Sequence, residues 1–103
     1  MSEQSFCRAS AIVDQEISSS TCLIDKQHRR IIIADTENHR LVFLSSIDLS
    51  LLFSVGGKRG SRPGEFYFPT SIAIDDDRHR IIVCDSGNNR VQVLSSIDGS
   101  FLF

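Results

Sequence analysis

A chain of 103 residues has room for one small domain and little more. With 41% hydrophobic and 23% charged residues it reads as globular rather than disordered, and 11 basic against 13 acidic side chains give a net charge of -2. That balance excludes a global attraction to nucleic acid or anionic membrane, and no apolar run approaches the roughly 20 residues of a membrane helix.

The lead Met1-Ser2-Glu3-Gln4-Ser5-Phe6 carries early acid and no long apolar core, so it is not expected to be a secretory leader. Cys7, Cys22 and Cys84 are odd in number and widely spaced, which argues against a disulfide framework, and no Cys/His spacing suggests zinc. A reduced, cytoplasmic setting is the expectation.

From residue 21 onward the signals are all β. Thr21-Cys22-Leu23-Ile24 reads as a short strand, and Arg30-Ile31-Ile32-Ile33-Ala34 as a β-branched run suited to a strand covered on both faces. The tetrad Thr36-Glu37-Asn38-His39 marks a tight hairpin in which Asn38 is expected to take the left-handed conformation. Leu41-Val42-Phe43-Leu44 and Leu51-Leu52-Phe53-Ser54-Val55 follow as strands around the turn at Ser45 to Ser50. Then everything repeats. Ile24 to Phe53 and Ile74 to Phe103 align without gaps at a period of 50 residues, with sixteen of thirty positions identical, among them Asp35, Asn38 and Arg40 against Asp85, Asn88 and Arg90. The second copy supplies Ser71-Ile72-Ala73-Ile74, Arg80-Ile81-Ile82-Val83-Cys84, a tetrad at Ser86-Gly87-Asn88-Asn89, and Val91-Gln92-Val93-Leu94, where valines alternate with a polar residue as in a half-buried strand. Only the start of its last strand, Phe101-Leu102-Phe103, is present. Short antiparallel strands repeating every 40 to 50 residues or so describe the blades of an all-β propeller.

Gly64-Glu65-Phe66-Tyr67-Phe68-Pro69-Thr70-Ser71-Ile72-Ala73-Ile74-Asp75, with Ile81-Ile82-Val83-Cys84-Asp85-Ser86-Gly87-Asn88-Asn89-Arg90-Val91-Gln92-Val93, closely resembles an NHL repeat, whose blade joins a G-x-F-x-x-P-x-G-I-A-V-D opening to an I-Y-V-A-D-x-x-N-x-R-I-Q-V body. Ser71 departs from the usual Gly, and the first copy keeps Asp35 to Arg40 but lacks the Pro and the Gly-rich lead. The expected division is a degenerate N-terminal edge at 1–20, a first blade at 21–57, a basic Gly-rich interblade loop at 58–65 and a second blade at 66–103. Two blades cannot close a ring, so further blades on a longer protein, or self-association of several copies, are expected to complete it.

The resemblance implies a recognition platform rather than an enzyme, as in proteins where NHL propellers follow a RING finger, B-boxes and a coiled coil in ubiquitin ligases. A protein partner is the leading expectation. Single-stranded RNA is the alternative, weakened by the scarcity of exposed aromatics: Tyr67 is the one Tyr, there is no Trp, and the seven Phe mostly fall on strand positions that read as core. A lyase or lactonase activity of related propellers has no recognisable metal ligands here, and no cofactor is expected.

Local signals for other chemistry fail on spacing or context. Gly56 to Gly64 lacks the Ser or Thr that a phosphate loop needs after Lys58, and Gly57-Lys58-Arg59-Gly60 lacks the helical frame of a KH loop. Asp75-Asp76-Asp77 reads as a solvated turn rather than a calcium site, and His28, His39 and His79 as turn residues. The serine pairs Ser45-Ser46 and Ser95-Ser96 have no nucleophile-elbow context. In an up-and-down blade the hairpin after the second strand opens on the same rim as the interblade loop. That places Lys58, Arg59, Arg62, His39, Arg40, Asn89 and Arg90 on one moderately basic rim, the candidate binding surface. Asp35, Asn38 and Arg40, with Asp85, Asn88 and Arg90, are also expected to staple their hairpins. The opposite rim carries Asp48, Asp98 and Asp75 to Asp77, diluted by Arg29, Arg30, Arg78 and Arg80.

Overall fold

A computed structural model describes residues 19–103. The expected N-terminal edge lies, for residues 1–18, outside the described residues. Seven strands follow one another: β1 (Ser19–Asp25), β2 (Arg30–Asp35), β3 (Arg40–Ser45), β4 (Leu51–Gly56), β5 (Pro69–Asp75), β6 (Arg80–Asp85) and β7 (Arg90–Ser95). They form two antiparallel meanders, β1-β2-β3-β4 and β5-β6-β7. The last segment of the second unit joins β7 through a bridge from Phe101 to Leu94 and backbone hydrogen bonds of Val93 with Leu102 and Phe103. The fold is all-β, as the sequence implies, with two open sheets that fit propeller blades not closed into a ring.

Register reproduces the repeat. Ile31 lies opposite Ile24 and Leu44, and fifty residues on Ile81 lies opposite Ile74 and Leu94. Each sheet begins with the same irregularity, between Ser19 and Thr21 and between Pro69 and Ser71, and Pro69 falls where a missing N–H is tolerated. The sheets meet through one apolar cluster: Ile32, Ala34, Leu41 and Phe43 of the first face Ile81, Val83 and Leu94 of the second, with Phe66 of the connecting loop buried among them. The packing is head to tail. β2 presents its even-numbered side chains to the cluster, whereas β6 presents its odd-numbered ones. β2 is buried along its whole length, its odd-numbered Ile31 and Ile33 packing in a second cluster with Val42 and Leu44, but β6 is not covered on both faces: Ile82 is half-buried and Cys84 exposed on the sheet face that points away from the first blade. Alternation in β7 is also displaced. Gln92 is 1% exposed and Val91 54%, because Gln92 faces the interblade loop, where its amide is fully used.

The hairpin tetrads fold as single 3-10 turns, Thr36–Asn38 and Ser86–Asn88, and the left-handed residues are His39 and Asn89, one place later than expected for Asn38 and Asn88. Asn38 and Asn88 instead direct their side chains back at Asp35 and Asp85. Gly87 is required by a close approach rather than by its φ: an added Cβ would lie 2.3 Å from the Tyr67 carbonyl oxygen.

At the opposite end, Asp48 Oδ1 accepts hydrogen bonds from the Ser50 N–H and hydroxyl, and Asp98 Oδ1 accepts one from the Ser100 N–H. These backbone N–H bonds, helped by the serine hydroxyls, hold both carboxyls below their ordinary value of 3.8. A carboxyl depressed in the folded state stabilises it above the unfolded value and loses that contribution as pH falls through the folded one. Denaturant midpoints should therefore fall on acidification below 3.8. Because both groups are exposed, the slope should be shallow, and replacing both by Asn should flatten it. An acid limb identical in that double variant would contradict the assignment.

The two copies treat one ion pair differently. Asp25 is buried and accepts from Arg30 Nε at 3.1 Å, with His28 Nδ1 at 2.9 Å. The Arg30 guanidinium also donates to the Ser96 carbonyl of the second blade and lies 5.0 Å over the Phe43 ring. Fifty residues on, Asp75 and Arg80 are 20% and 28% exposed at 3.1 Å. Asp25→Ala should cost about 3 kcal/mol, since it strands a buried guanidinium. Asp75→Ala should cost far less, since water screens its pair. Equal losses in matched denaturation curves would contradict this.

Candidate functional site

The rim that carries the β2–β3 and β6–β7 hairpins also carries the interblade loop. Gly57 N–H donates to the His39 carbonyl, and Gly87 N–H to the Tyr67 carbonyl, so the loop is tied to one hairpin of each blade. A parallel bridge joins Arg59 to Phe66, and Gly60 N–H donates to the Phe66 carbonyl.

Asp85 anchors this assembly. Wholly buried, it accepts from Tyr67 N–H at 2.7 Å, Asn88 Nδ2 at 2.9 Å, Arg90 Nε at 3.0 Å and Gln92 Nε2 at 3.3 Å. Its partners then hold the loop. Asn88 Nδ2 also donates to the Gly60 carbonyl, Arg90 to the carbonyls of Ser61, Arg62 and Glu65, and Gln92 Nε2 to the Glu65 carbonyl. The first blade has the same core of three, with Arg40 Nε 2.6 Å from Asp35 Oδ2 and Asn38 Nδ2 3.1 Å from both Asp35 oxygens.

The seven rim residues thus divide. Arg90 spends its guanidinium group on the buried Asp85 carboxylate and three loop carbonyls, and Arg40 gives its Nε to the buried Asp35 carboxylate. Asn89 is the exposed left-handed residue of its turn. His39 Nδ1 accepts the Phe68 N–H at 3.0 Å, and its ring meets Tyr67 at 5.6 Å and Phe68 edge-on at 4.7 Å. Lys58, Arg59 and Arg62 are exposed, and among the described residues none of the three makes an ion pair with a carboxylate. Glu65, in the same loop, uses Oε1 to accept the Arg62 N–H.

Sequence reasoning missed two members of this rim. Tyr67 lies beneath the Arg59 guanidinium, 5.3 Å from ring centroid to Cζ, and Phe68 is 40% exposed beside it. The expectation that Phe residues read as core fails at Phe68, and also at the exposed Phe101 and Phe103. Phe68 has φ +53, a conformation a bulky residue adopts only when its surroundings impose it. The signal was present: two aromatics stand next to Pro69 directly after a basic loop, where no strand alternation applies. Arg59, Gly60, Ser61, Tyr67 and Asn88 line an open concavity of about 360 Å³. Among the described residues no group of three or more His, Cys, Asp or Glu could hold a metal ion.

With this geometry in place, residues 66–94 match the family model of the NHL repeat. Thirteen solved chains are similar. One, a "Putative exported protein" of Bacteroides fragilis, is 24% identical with a TM-score of 0.71, over 88% of this chain and 25% of that one. The chain thus spans about a quarter of that protein's length, and the likeness is one of fold. No curated protein matches. The similarity to a protein described as exported overturns the cytoplasmic setting expected from the cysteines. The physical basis of that expectation was slender, because one exposed thiol such as Cys84 fixes no compartment.

Proposed function

We propose that this chain, which carries an NHL repeat, is a non-catalytic recognition module that binds a protein partner on the rim of Lys58, Arg59, Arg62, His39, Arg40, Asn89 and Arg90. The observation that supports this reading is the division of labour on that rim. Arg40 is held by the buried Asp35 carboxylate and Arg90 by Asp85 and the loop carbonyls, while Lys58, Arg59 and Arg62 stand exposed on a loop fastened to both blades. A fixed loop with free cations costs little ordering entropy on binding. The uncovered face of the second sheet, with Cys84 and Val91, suits a further blade, supplied by a longer protein or by another copy. Substrate recognition for a ubiquitin ligase, the finer form of this reading, would need the transfer domains elsewhere on the same protein.

The test is capture of bound material by the wild-type chain and by a variant with Lys58, Arg59 and Arg62 all changed to Glu. A polypeptide retained after nuclease treatment and lost with the variant supports the proposal. Material released by nuclease would contradict it and favour RNA.

A further inference from the structure

We infer that the concavity beside Arg59 and Tyr67 takes a carboxylate side chain of an acidic peptide. This deepens the protein-recognition reading and rests on it. Arg59 is exposed, makes no ion pair among the described residues, and places its Cζ over the Tyr67 ring at 5.3 Å from the centroid. A guanidinium stacked on a ring keeps its N–H edge free, and that fork fits a carboxylate with two parallel hydrogen bonds.

The shelf under it is fixed before any ligand arrives. Tyr67 N–H is held by the buried Asp85 carboxylate, and the Tyr67 ring is backed by Phe68 at 5.0 Å and His39 at 5.6 Å. Phe68 is kept in its left-handed conformation by donating to His39. No carboxylate is among the residues that line the concavity: Asn88 directs its amide nitrogen to Gly60 and Asp85, and Glu65, which lies against Gly60, spends Oε1 on the Arg62 N–H. Lys58 and Arg62, exposed on the same loop, add positive potential, and like charges held together draw in an anion from solution.

The same contacts favour a peptide over RNA. Single-strand recognition stacks bases on open aromatic faces. Here Arg59 covers one face of Tyr67, and Phe68 and His39 crowd its surroundings, so a base would have to displace a cation that is already stacked.

The experiment uses the full chain and three labelled probes: a peptide of alternating Glu and Leu, its Gln-Leu counterpart, and oligouridine. The acidic peptide should bind at low salt and weaken as salt rises. Its Gln counterpart should bind about tenfold more weakly, and Arg59→Ala should lower affinity for the acidic peptide by about the same factor, the size of one charge-assisted contact. Arg59→Lys, which keeps the charge but loses the fork, should recover only part of it. Equal binding of both peptides, binding of neither, or indifference to Arg59→Ala overturns the carboxylate assignment. Equal binding leaves the protein-recognition reading standing. Oligouridine bound while both peptides are ignored overturns both.

Discussion

Asp85→Ala is expected to lower the unfolding free energy by about 3 to 5 kcal/mol, the range found when one partner of a buried charged network is removed. Asp85 is wholly buried and accepts four hydrogen bonds, from Tyr67, Asn88, Arg90 and Gln92. The last three keep other partners among the loop carbonyls, whereas among the described residues the Tyr67 N–H has no second acceptor. The loss should therefore be felt first at the loop. Hydrogen exchange at Gly60, Tyr67 and Gly87 should quicken before that of the β6 core. Asp85→Asn should fall between wild type and Ala, since one amide oxygen cannot face both the Tyr67 N–H and the side-chain donors. A loss under about 1 kcal/mol would put Asp85 in the class of surface pairs and remove the anchor from this account.

Phe66→Ala is expected to cost about 3 to 5 kcal/mol as well, through the cavity left by a buried aromatic. Phe66 is fully buried in the apolar cluster that the two sheets share, and fits closely enough that a Cβ on Gly56 would lie 2.8 Å from its ring. A chain of this size is stable by about 5 to 15 kcal/mol in total, so the variant should melt markedly earlier. The same ring roots the interblade loop, because Phe66 forms the bridge to Arg59 and its carbonyl accepts the Gly60 N–H. Binding at the rim should therefore weaken along with stability. Phe66→Leu, which keeps most of the volume, should cost under about 1.5 kcal/mol and keep binding. A melting curve for Phe66→Ala that overlays wild type would mean the two sheets do not share one core.

Much of this was legible in the residues, and the failures have definite causes. The period of 50 residues located the strands because identical sequence folds into identical register, down to the matching irregularities before Thr21 and Ser71. The Asp35–Arg40 and Asp85–Arg90 contacts could be anticipated, since strand pairing sets those residues opposite one another. Burial was harder to read. Ile31-Ile32-Ile33 and Ile81-Ile82-Val83 are nearly the same sequence, yet only the first is covered on both faces, because coverage depends on neighbouring layers. Gln92 looked outward-facing and is buried, since what satisfies its amide is the Glu65 carbonyl, 27 residues away. The aromatic part of the rim was the largest omission. Tyr67 and Phe68 lie outside any periodic element, and only the fold brings His39 beside them from the first blade.

The interblade loop and the hairpins fastened to it are the proposed recognition surface. Hydrogen exchange of the full chain with and without the Glu-Leu peptide tests it directly. Added protection is expected over residues 57–68 and 86–90, with none at the turns 46–50 and 96–100. Protection confined to those opposite turns, or to the exposed face of β6 and β7, would contradict it.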